Sequence, residues 1–306
     1  MKKAFTLVEL LVVIGILAIL MGALIATISG GTEAARSARC LTNMRNLATA
    51  CNTRASTSGS YPLAGSVEVR SLNLNGGSSG GSGSTFHESP GWISWNSRGS
   101  YSGKTTSHVS SLGWFTSAYN EDVDIRAYAL TNGTLWKYIS GNTDLFVCPA
   151  HRRQMKNLKP IWSYVMNQKF GYDDSLGSKA KIYWPGIEYG HLSRADRTLM
   201  FAELQFLPND KVQVKPDAGS GIQNDCTLQW KHNEVLGINH PLGKRGLCAH
   251  IVFADAHVEK LKVPATRSGD TWSIMVSRGD LEDLTEWLCE GKDVGFRNNR
   301  YEKLQD

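Results

Sequence analysis

The sequence predicts an α+β fold in which one long N-terminal helix packs against an antiparallel β-sheet that carries loop-rich insertions. An apolar stretch at 5–28 contains a single charged residue, and residues 29–56 repeat small apolar side chains at steps of three and four. The first pattern is typical of a membrane helix and the second of an amphipathic helix. Further along, the alternating segments 250–253 and 257–261 flank a short turn sequence, which predicts a β-hairpin.

The composition of the 306-residue chain indicates a globular protein and excludes several functions. Apolar residues make up 41% of the chain, as in globular proteins. The net charge is +5, and the basic residues form no run that could neutralise several phosphates. We therefore expect no nucleic-acid partner. The sequence contains no nucleophile elbow, phosphate-binding P-loop, dinucleotide-binding glycine pattern or HExxH zinc motif, so we expect that the protein is not an enzyme.

The apolar half of the predicted helix, residues 5–28, is long enough to span a membrane, because a helix of this length extends about 36 Å. Lys2 and Lys3 precede it, and the positive-inside tendency keeps them in the cytoplasm while the rest of the chain crosses. Its one charge, Glu9, would cost about 2.5–3.5 kcal/mol in lipid, so we expect a specific partner for this carboxylate. A cleaved signal peptide is the alternative interpretation.

The sequence AFTLVE at 4–9 resembles the prepilin processing motif of type IV pilins and type II secretion pseudopilins. The resemblance implies that a prepilin peptidase/methyltransferase removes a leader, residues 1–4, and methylates the new amine of Phe5. Ala4 stands where the family usually has glycine. Glu9 is then the fifth residue of the mature chain, where the family keeps an acid that neutralises the N-terminal amine of a neighbouring subunit.

The same resemblance implies a location and a set of partners. The precursor would be a single-pass protein of the inner membrane, with its N-terminus in the cytoplasm and its head, residues 57–306, in the periplasm. On an inner-membrane assembly platform it would join other pilin or pseudopilin subunits in a type II secretion or type IV pilus-like filament, in the periplasm or at the cell surface. The alternative is a membrane-tethered protein that recognises glycans or proteins and does not polymerise.

The second half of the helix, residues 29–56, is predicted to lie against the head through a narrow apolar face. Gly30 and Gly31 are a candidate break between the two halves, and Gly59 is a natural stop. The residues of the predicted face are Ala34, Ala38, Leu41, Met44, Ala48, Cys51 and Ala55.

An insertion at about 70–140 is predicted within the head. Its first part, 71–92, is rich in glycine and serine and is predicted to be a flexible loop. Its second part is rich in aromatic residues, beginning with Trp92 and Trp95. These rings could form a recognition surface or fill the core of the head, and the sequence leaves both open.

Four segments, at 144–150, 163–168, 193–204 and 250–261, resemble a second bacterial family of prepilin-like proteins. That family is named for a histidine, nine residues and then Asp-Gly. In this chain fourteen residues separate His240 from Asp255, and Ala256 replaces the glycine. Since glycine adopts positive φ most readily, we expect a different turn type here.

Metal sites are predicted only as weak candidates, and no cofactor is assigned. Asp255, His250 and His257 could converge at the hairpin, although hydrogen bonding within the turn is the preferred explanation of these residues. Acidic segments at 119–124 and 172–174 bring oxygen ligands together and make calcium the ion to consider.

The six cysteines could oxidise if the head lies in the periplasm. The disulfides we predict are Cys226 with Cys248, and Cys148 with a cysteine of the helix, Cys40 or Cys51. Buried thiols are the alternative for some of them.

Overall fold

The computed structural model of the chain describes most of the helix and the core of the head. The residues it describes are 7–65, 67–70, 86–89, 91–93, 100–101, 104–105, 129–154, 160–171, 187–205, 212–214, 226–228, 230, 234–242, 246–269 and 271–291. The predicted leader at 1–4, the cleavage-site residue Phe5 and both calcium candidate segments therefore lie outside the described residues.

Helix α1 spans Leu7–Ser58 without interruption. Gly30 and Gly31 do not break it, so the single long helix of the predicted fold is confirmed and the candidate break between its halves is absent. Strong helix formers lie within a few residues on both sides, Leu24 and Ala26 before the pair and Ala34 and Ala35 after it. The predicted stop is confirmed, because Gly59 has a φ of +81° and donates its N–H to the carbonyl of Ala55 at 2.9 Å.

The N-terminal part of α1 carries its apolar side chains on the surface. The large apolar side chains between Leu7 and Met21 are 46–79% exposed. No helix formed by the described residues has the combined length and apolar character that a membrane crossing requires. The predicted span at 5–28 begins outside the described residues and stays a prediction.

The head is built on an eight-stranded sheet. Its strands are β5 (Tyr164–Asn167), β6 (Leu199–Glu203), β7 (Val212–Val214), β8 (Thr227–Leu228), β9 (His240–Pro241), β10 (Gly246–Phe253), β11 (Val258–Ser268) and β12 (Thr271–Ile274). The order is β7-β12-β11-β10-β6-β5-β8, and β9 pairs with β10. The sheet is antiparallel as predicted except at its two ends, where β7 runs parallel to β12 and β8 parallel to β5.

The predicted hairpin is confirmed as β10 and β11, which pair from Gly246 opposite Pro264 to Val252 opposite Val258. Its turn keeps a positive φ of +70° at Ala256, so the expected change of turn type is not supported. Two hydrogen bonds stabilise this conformation. The backbone N–H of Ala256 donates to the carbonyl of Phe253 at 2.9 Å, and that of His257 donates to Asp255 Oδ1 at 3.0 Å.

The sheet is buried on both faces, between α1 and a C-terminal helix, α3 (Arg278–Glu290). Since side chains alternate along a strand, Tyr164 and Met166 of β5 pack on the α1 side, whereas Val165 packs on the α3 side. Two separate apolar cores result, one on each face. A short helix, α2 (Pro149–Gln154), lies beside α1.

One buried amide joins the α3 end of the molecule to the sheet. Asn167 Nδ2 donates to the carbonyl of Leu199 at 2.9 Å and to that of Cys289 at 2.8 Å. Its Oδ1 accepts the backbone N–H of Lys169 at 3.0 Å. A single side chain therefore links β5, β6 and the last turn of α3.

Two short antiparallel strand pairs lie in the predicted insertion, except that the first strand falls just before it. Their strands are β1 (Val67–Arg70), β2 (Phe86–Ser89), β3 (Ser100–Tyr101) and β4 (Lys104–Thr105). Strand β2 falls within the stretch predicted to be a flexible loop, so that prediction is wrong at 86–89. Trp92 is fully buried, and its ring centroid lies 4.8 Å from that of Phe201. This aromatic residue belongs to the core, while Trp95 lies outside the described residues.

Candidate functional site

The lone acid of the apolar stretch lies on the exposed part of α1. Glu9 falls in the first turn of the described helix, where the helix dipole favours a carboxylate, and its side chain is exposed. Exposed apolar side chains surround it, including Val8 at 70% and Val12 at 52% exposure. The acid is therefore placed on a surface that contacts lipid or protein more favourably than water.

The three residues predicted as a metal site do not converge. Asp255 and His257 interact in the exposed turn, where Asp255 Oδ1 and His257 Nδ1 lie 2.5 Å apart. His250 is fully buried in the middle of β10, opposite Lys260, and its Nε2 lies 2.9 Å from Ser37 Oγ of α1. The contact between Asp255 and His257 fits the hydrogen-bonding interpretation. His250 lies elsewhere, with its ring stacked on that of His240.

The structure instead assembles a cluster of four ligating side chains between α1 and the sheet. Cys40 comes from α1, Cys148 directly precedes α2, Glu203 ends β6 and His240 begins β9. We call these four residues the buried cluster. Each of them is buried, with exposure of 1% or less. Among the described residues they are the set whose ligand atoms all lie within 4.8 Å of one another.

Glu203 is the centre of the buried cluster. Its Oε1 accepts the S–H of Cys40 at 2.8 Å and lies 2.8 Å from Nε2 of His240. The same Nε2 lies 3.5 Å from Sγ of Cys148. One carboxylate oxygen and one imidazole nitrogen therefore connect two thiols that are 108 residues apart in the sequence.

A second layer of groups orients the buried cluster. The hydroxyl of Tyr164 donates to Cys40 Sγ at 3.4 Å, and the backbone N–H of His250 donates to Glu203 Oε2 at 3.4 Å. Glu33 Oε1 lies 3.7 Å from Nδ1 of His240. The imidazole of His250 stacks on that of His240 with ring centroids 4.0 Å apart.

The charges inside the buried cluster are strongly coupled. Burial alone would raise the pKa of Glu203, but the charges of His240 and His250 outweigh it and hold that pKa well below its usual range. Burial likewise opposes the charged form of His240, yet the Glu203 carboxylate raises the pKa of His240. Burial lowers the pKa of His250. Glu203 and His240 therefore form a buried ion pair.

None of the six cysteines, all of which the structure describes, forms a disulfide, and all are buried. Strands β6 and β5 separate β10, which carries Cys248, from β8, which follows Cys226. At about 4.8 Å per strand the separation is roughly 14 Å, twice the reach of a disulfide. The structure therefore contradicts the predicted Cys226–Cys248 pair. It does bring Cys148 beside Cys40, as neighbouring thiols within the buried cluster.

Glu203 is the central residue of the candidate site, and the sequence analysis did not identify it. Glu203 follows the apolar run LMFA in the sequence. The strand that these residues form is wholly buried. A charged residue is rarely fully buried unless it is paired, and this signal could have identified it. Its partners could not be identified in the same way, because they come from three distant segments.

Comparison with known proteins identifies the N-terminus alone. Residues 1–25 match the family model described as the prokaryotic N-terminal methylation motif. No curated protein and no solved structure matches the chain. The second resemblance, to the family named for histidine, nine residues and Asp-Gly, receives no support. The matched motif supports a type IV pilin-like prepilin, and the helix followed by a mixed sheet is consistent with a pilin-like architecture.

Proposed function

We propose that this protein is a non-enzymatic subunit of a type II secretion or type IV pilus-like filament, stored in the inner membrane and assembled through α1. A prepilin peptidase/methyltransferase would cut between Ala4 and Phe5 and methylate the new amine. The head would then stand in the periplasm or at the cell surface. The observation that carries the proposal is the match of residues 1–25 to the N-terminal methylation motif.

The form of α1 supports assembly through this helix. Its N-terminal part exposes large apolar side chains over about four turns, and its C-terminal part is packed on the head. A soluble monomer rarely leaves so large an apolar surface in water, so lipid before assembly and neighbouring helices after it are the environments that suit this surface. The helix is continuous between the two parts.

Glu9 gives this assembly an electrostatic contact. Cleavage after Ala4 creates a positive amine close to lipid, and a carboxylate on an adjoining subunit would neutralise it. Both charges are costly in an apolar environment when separate, and pairing them lowers that cost. We therefore propose Glu9 as the assembly residue and Phe5 as the residue that supplies the amine.

Thiol crosslinking in intact cells tests whether the subunits polymerise. Ile16 is 53% exposed on the apolar part of α1, whereas all six native cysteines are buried. A ladder requires two accessible thiols per subunit, so the variant carries both Ile16→Cys and Ile14→Cys, the second at a residue that is 56% exposed and about 200° away around the helix. In this double variant, a membrane-permeant bifunctional thiol crosslinker should give a ladder of dimers, trimers and larger species. The native chain, treated identically, is the matched control and should give none.

Monomers alone in the Ile14→Cys/Ile16→Cys experiment would contradict the filament and favour the tethered binding protein. Glycan or partner capture by the head would then be the function to measure. Most aromatic residues that motivated this second candidate lie outside the described residues. Among the described ones, Trp92 is fully buried, and Trp136 and Tyr138 are partly buried and pack against the same core.

A further inference from the structure

We propose that Cys40, Cys148, Glu203 and His240 bind one Zn²⁺ ion, which fastens α1 to the sheet. The inference does not depend on filament assembly, because it rests on side chains inside the head and the packed half of α1. The four ligands come from four separate segments: α1, the start of α2, β6 and β9. A shared ion would therefore act as a crosslink between the helix and the head.

The chemistry of the four donors fits zinc. Two thiolates, one imidazole and one carboxylate are all ligands that Zn²⁺ takes, and a closed set of four protein ligands is typical of a structural site. The thiolates disfavour calcium and magnesium, which take oxygen ligands. All four side chains are buried, so the site would be closed to substrate.

The distances also fit a tetrahedral site. With metal–ligand bonds of about 2.0–2.3 Å, the ligand atoms of a tetrahedron lie about 3.3–3.8 Å apart. Here Glu203 Oε1 lies 2.8 Å from Cys40 Sγ and 2.8 Å from His240 Nε2. Cys148 Sγ lies 3.5 Å from His240 Nε2, and no two ligand atoms are more than 4.8 Å apart. Side-chain adjustments of about 0.5 Å around Glu203 would open the central space, with no movement of the backbone elements.

The second layer matches what a zinc ligand set requires. A metal-bound histidine commonly presents its other ring nitrogen to a carboxylate, and Nδ1 of His240 lies 3.7 Å from Glu33 Oε1. Tyr164 donates to the Cys40 sulfur, and the N–H of His250 contacts the Glu203 oxygen that faces away from Cys40. These donors would hold the ligands in place and spread their negative charge.

The charge balance of binding can be written out. Zn²⁺ would displace one proton from Cys40, one from Cys148 and the Nε2 proton of His240, leaving Glu203 ionised as before. Three protons leave as two positive charges arrive, so the buried site gains one net negative charge. The hydrogen bonds from Tyr164 and His250 partly compensate for it.

Metal analysis of the full-length protein in detergent micelles tests the proposal. After incubation with zinc and removal of excess metal, the native chain should retain about one Zn²⁺ per chain. Loading with Co²⁺ should give thiolate-to-cobalt charge-transfer absorption. The Cys40→Ser variant should lose both signals. Cys51→Ser, a buried thiol of the same helix outside the buried cluster, is the matched control and should retain them.

Two further measurements leave all four ligands unchanged. A strong chelator added to the native protein should remove the ion and lower the Tm. A Glu33→Ala variant, altered only in the second layer, should weaken zinc affinity by about 10–100-fold.

Several outcomes would overturn the site: substoichiometric zinc in the loaded native chain, equal metal loss from Cys51→Ser and Cys40→Ser, or a Tm unchanged by chelation. A Cys40–Cys148 disulfide in the native protein, found by mass spectrometry of unreduced peptides, would also overturn it, because oxidised sulfurs cannot supply the two thiolates.

Discussion

At the scale of single residues, the two acids Glu203 and Glu9 are each removed from the water that usually surrounds a carboxylate, or placed among apolar side chains. Glu203 is fully buried, and its oxygens contact His240, Cys40 and the backbone of His250 within the molecule. Glu9 lies on the exposed part of α1, and its proposed partner is the amine of another subunit. The first acid would serve the internal architecture and the second the assembly.

Replacing Glu9 by alanine tests the proposed assembly contact. Leader cleavage should be unaffected, because the bond that is cut lies before Phe5, but incorporation into crosslinked ladders should fall severalfold since the amine of a neighbour would stay unpaired in an apolar environment. Glu9→Asp keeps the charge and should incorporate better than Glu9→Ala. The measurement is the ratio of ladder to mature monomer on immunoblots, and wild-type incorporation of Glu9→Ala would refute the pairing.

Ala256 offers a test of backbone strain, because its φ of +70° suits glycine better than alanine. The αL conformation costs a non-glycine residue about 1–2 kcal/mol. Glycine also makes the unfolded chain more flexible, which offsets about 0.4–1 kcal/mol. Ala256→Gly should therefore raise the free energy of unfolding by about 0.5–1 kcal/mol in denaturant titrations.

Ala254→Gly is the matched control for that experiment. Ala254 lies in the same turn but is not among the described residues with positive φ. This substitution should lower the free energy of unfolding by about 0.5–1 kcal/mol. Destabilisation by both substitutions would show that strain at Ala256 is negligible.

At the scale of elements, polar side chains attach α1 to the head at several positions along the helix. Ser37 contacts His250, Asn43 Nδ2 donates to the carbonyl of Val147, and Asn52 Nδ2 donates to that of Ala254. These contacts explain why the predicted apolar face was misplaced at its start. Ala34 and Ala38 are exposed, whereas Ser37 and Cys40 are buried, because their polar groups have partners in the sheet.

The link between the sheet and α3 is tested by Asn167→Ala. The substitution would leave two buried carbonyls and one backbone N–H without their partner, and each such loss costs about 1–3 kcal/mol before relaxation. We expect a loss of about 2–4 kcal/mol in the free energy of unfolding. Asn132→Ala, at an exposed site, is the control and should change it by less than about 0.5 kcal/mol. A similar small change for both would contradict the role of the amide.

At the scale of the whole molecule, the sequence predicted what local patterns determine. Helical spacing located α1 and its end, and strand alternation located the β10–β11 hairpin. The order of eight strands and the parallel pairs at both ends depend on contacts between distant segments, which periodicity does not encode. The sequence analysis placed Cys148 near a cysteine of the helix, but it missed Glu203 and the full buried cluster for the same reason, since each ligand comes from a different segment.

The mature mass of the whole chain tests its proposed processing. Cleavage after Ala4 with methylation of Phe5 should yield a protein that lacks the first four residues and carries one added methyl group. Intact-mass spectrometry of the membrane fraction measures both changes, and the same protein from cells without prepilin peptidase is the control. A mature chain that begins beyond Glu9 would show signal-peptide removal instead and would end the filament proposal.

The uninterrupted course of α1 through Gly30 and Gly31 has a mechanical consequence. A continuous helix extends little under tension, so a force applied to the head would be transmitted along α1 to its N-terminal part. The polar contacts from Ser37 to Asn52 would share that load between helix and sheet. In this arrangement the part of the helix that bears the force includes Cys40, the residue that α1 contributes to the buried cluster.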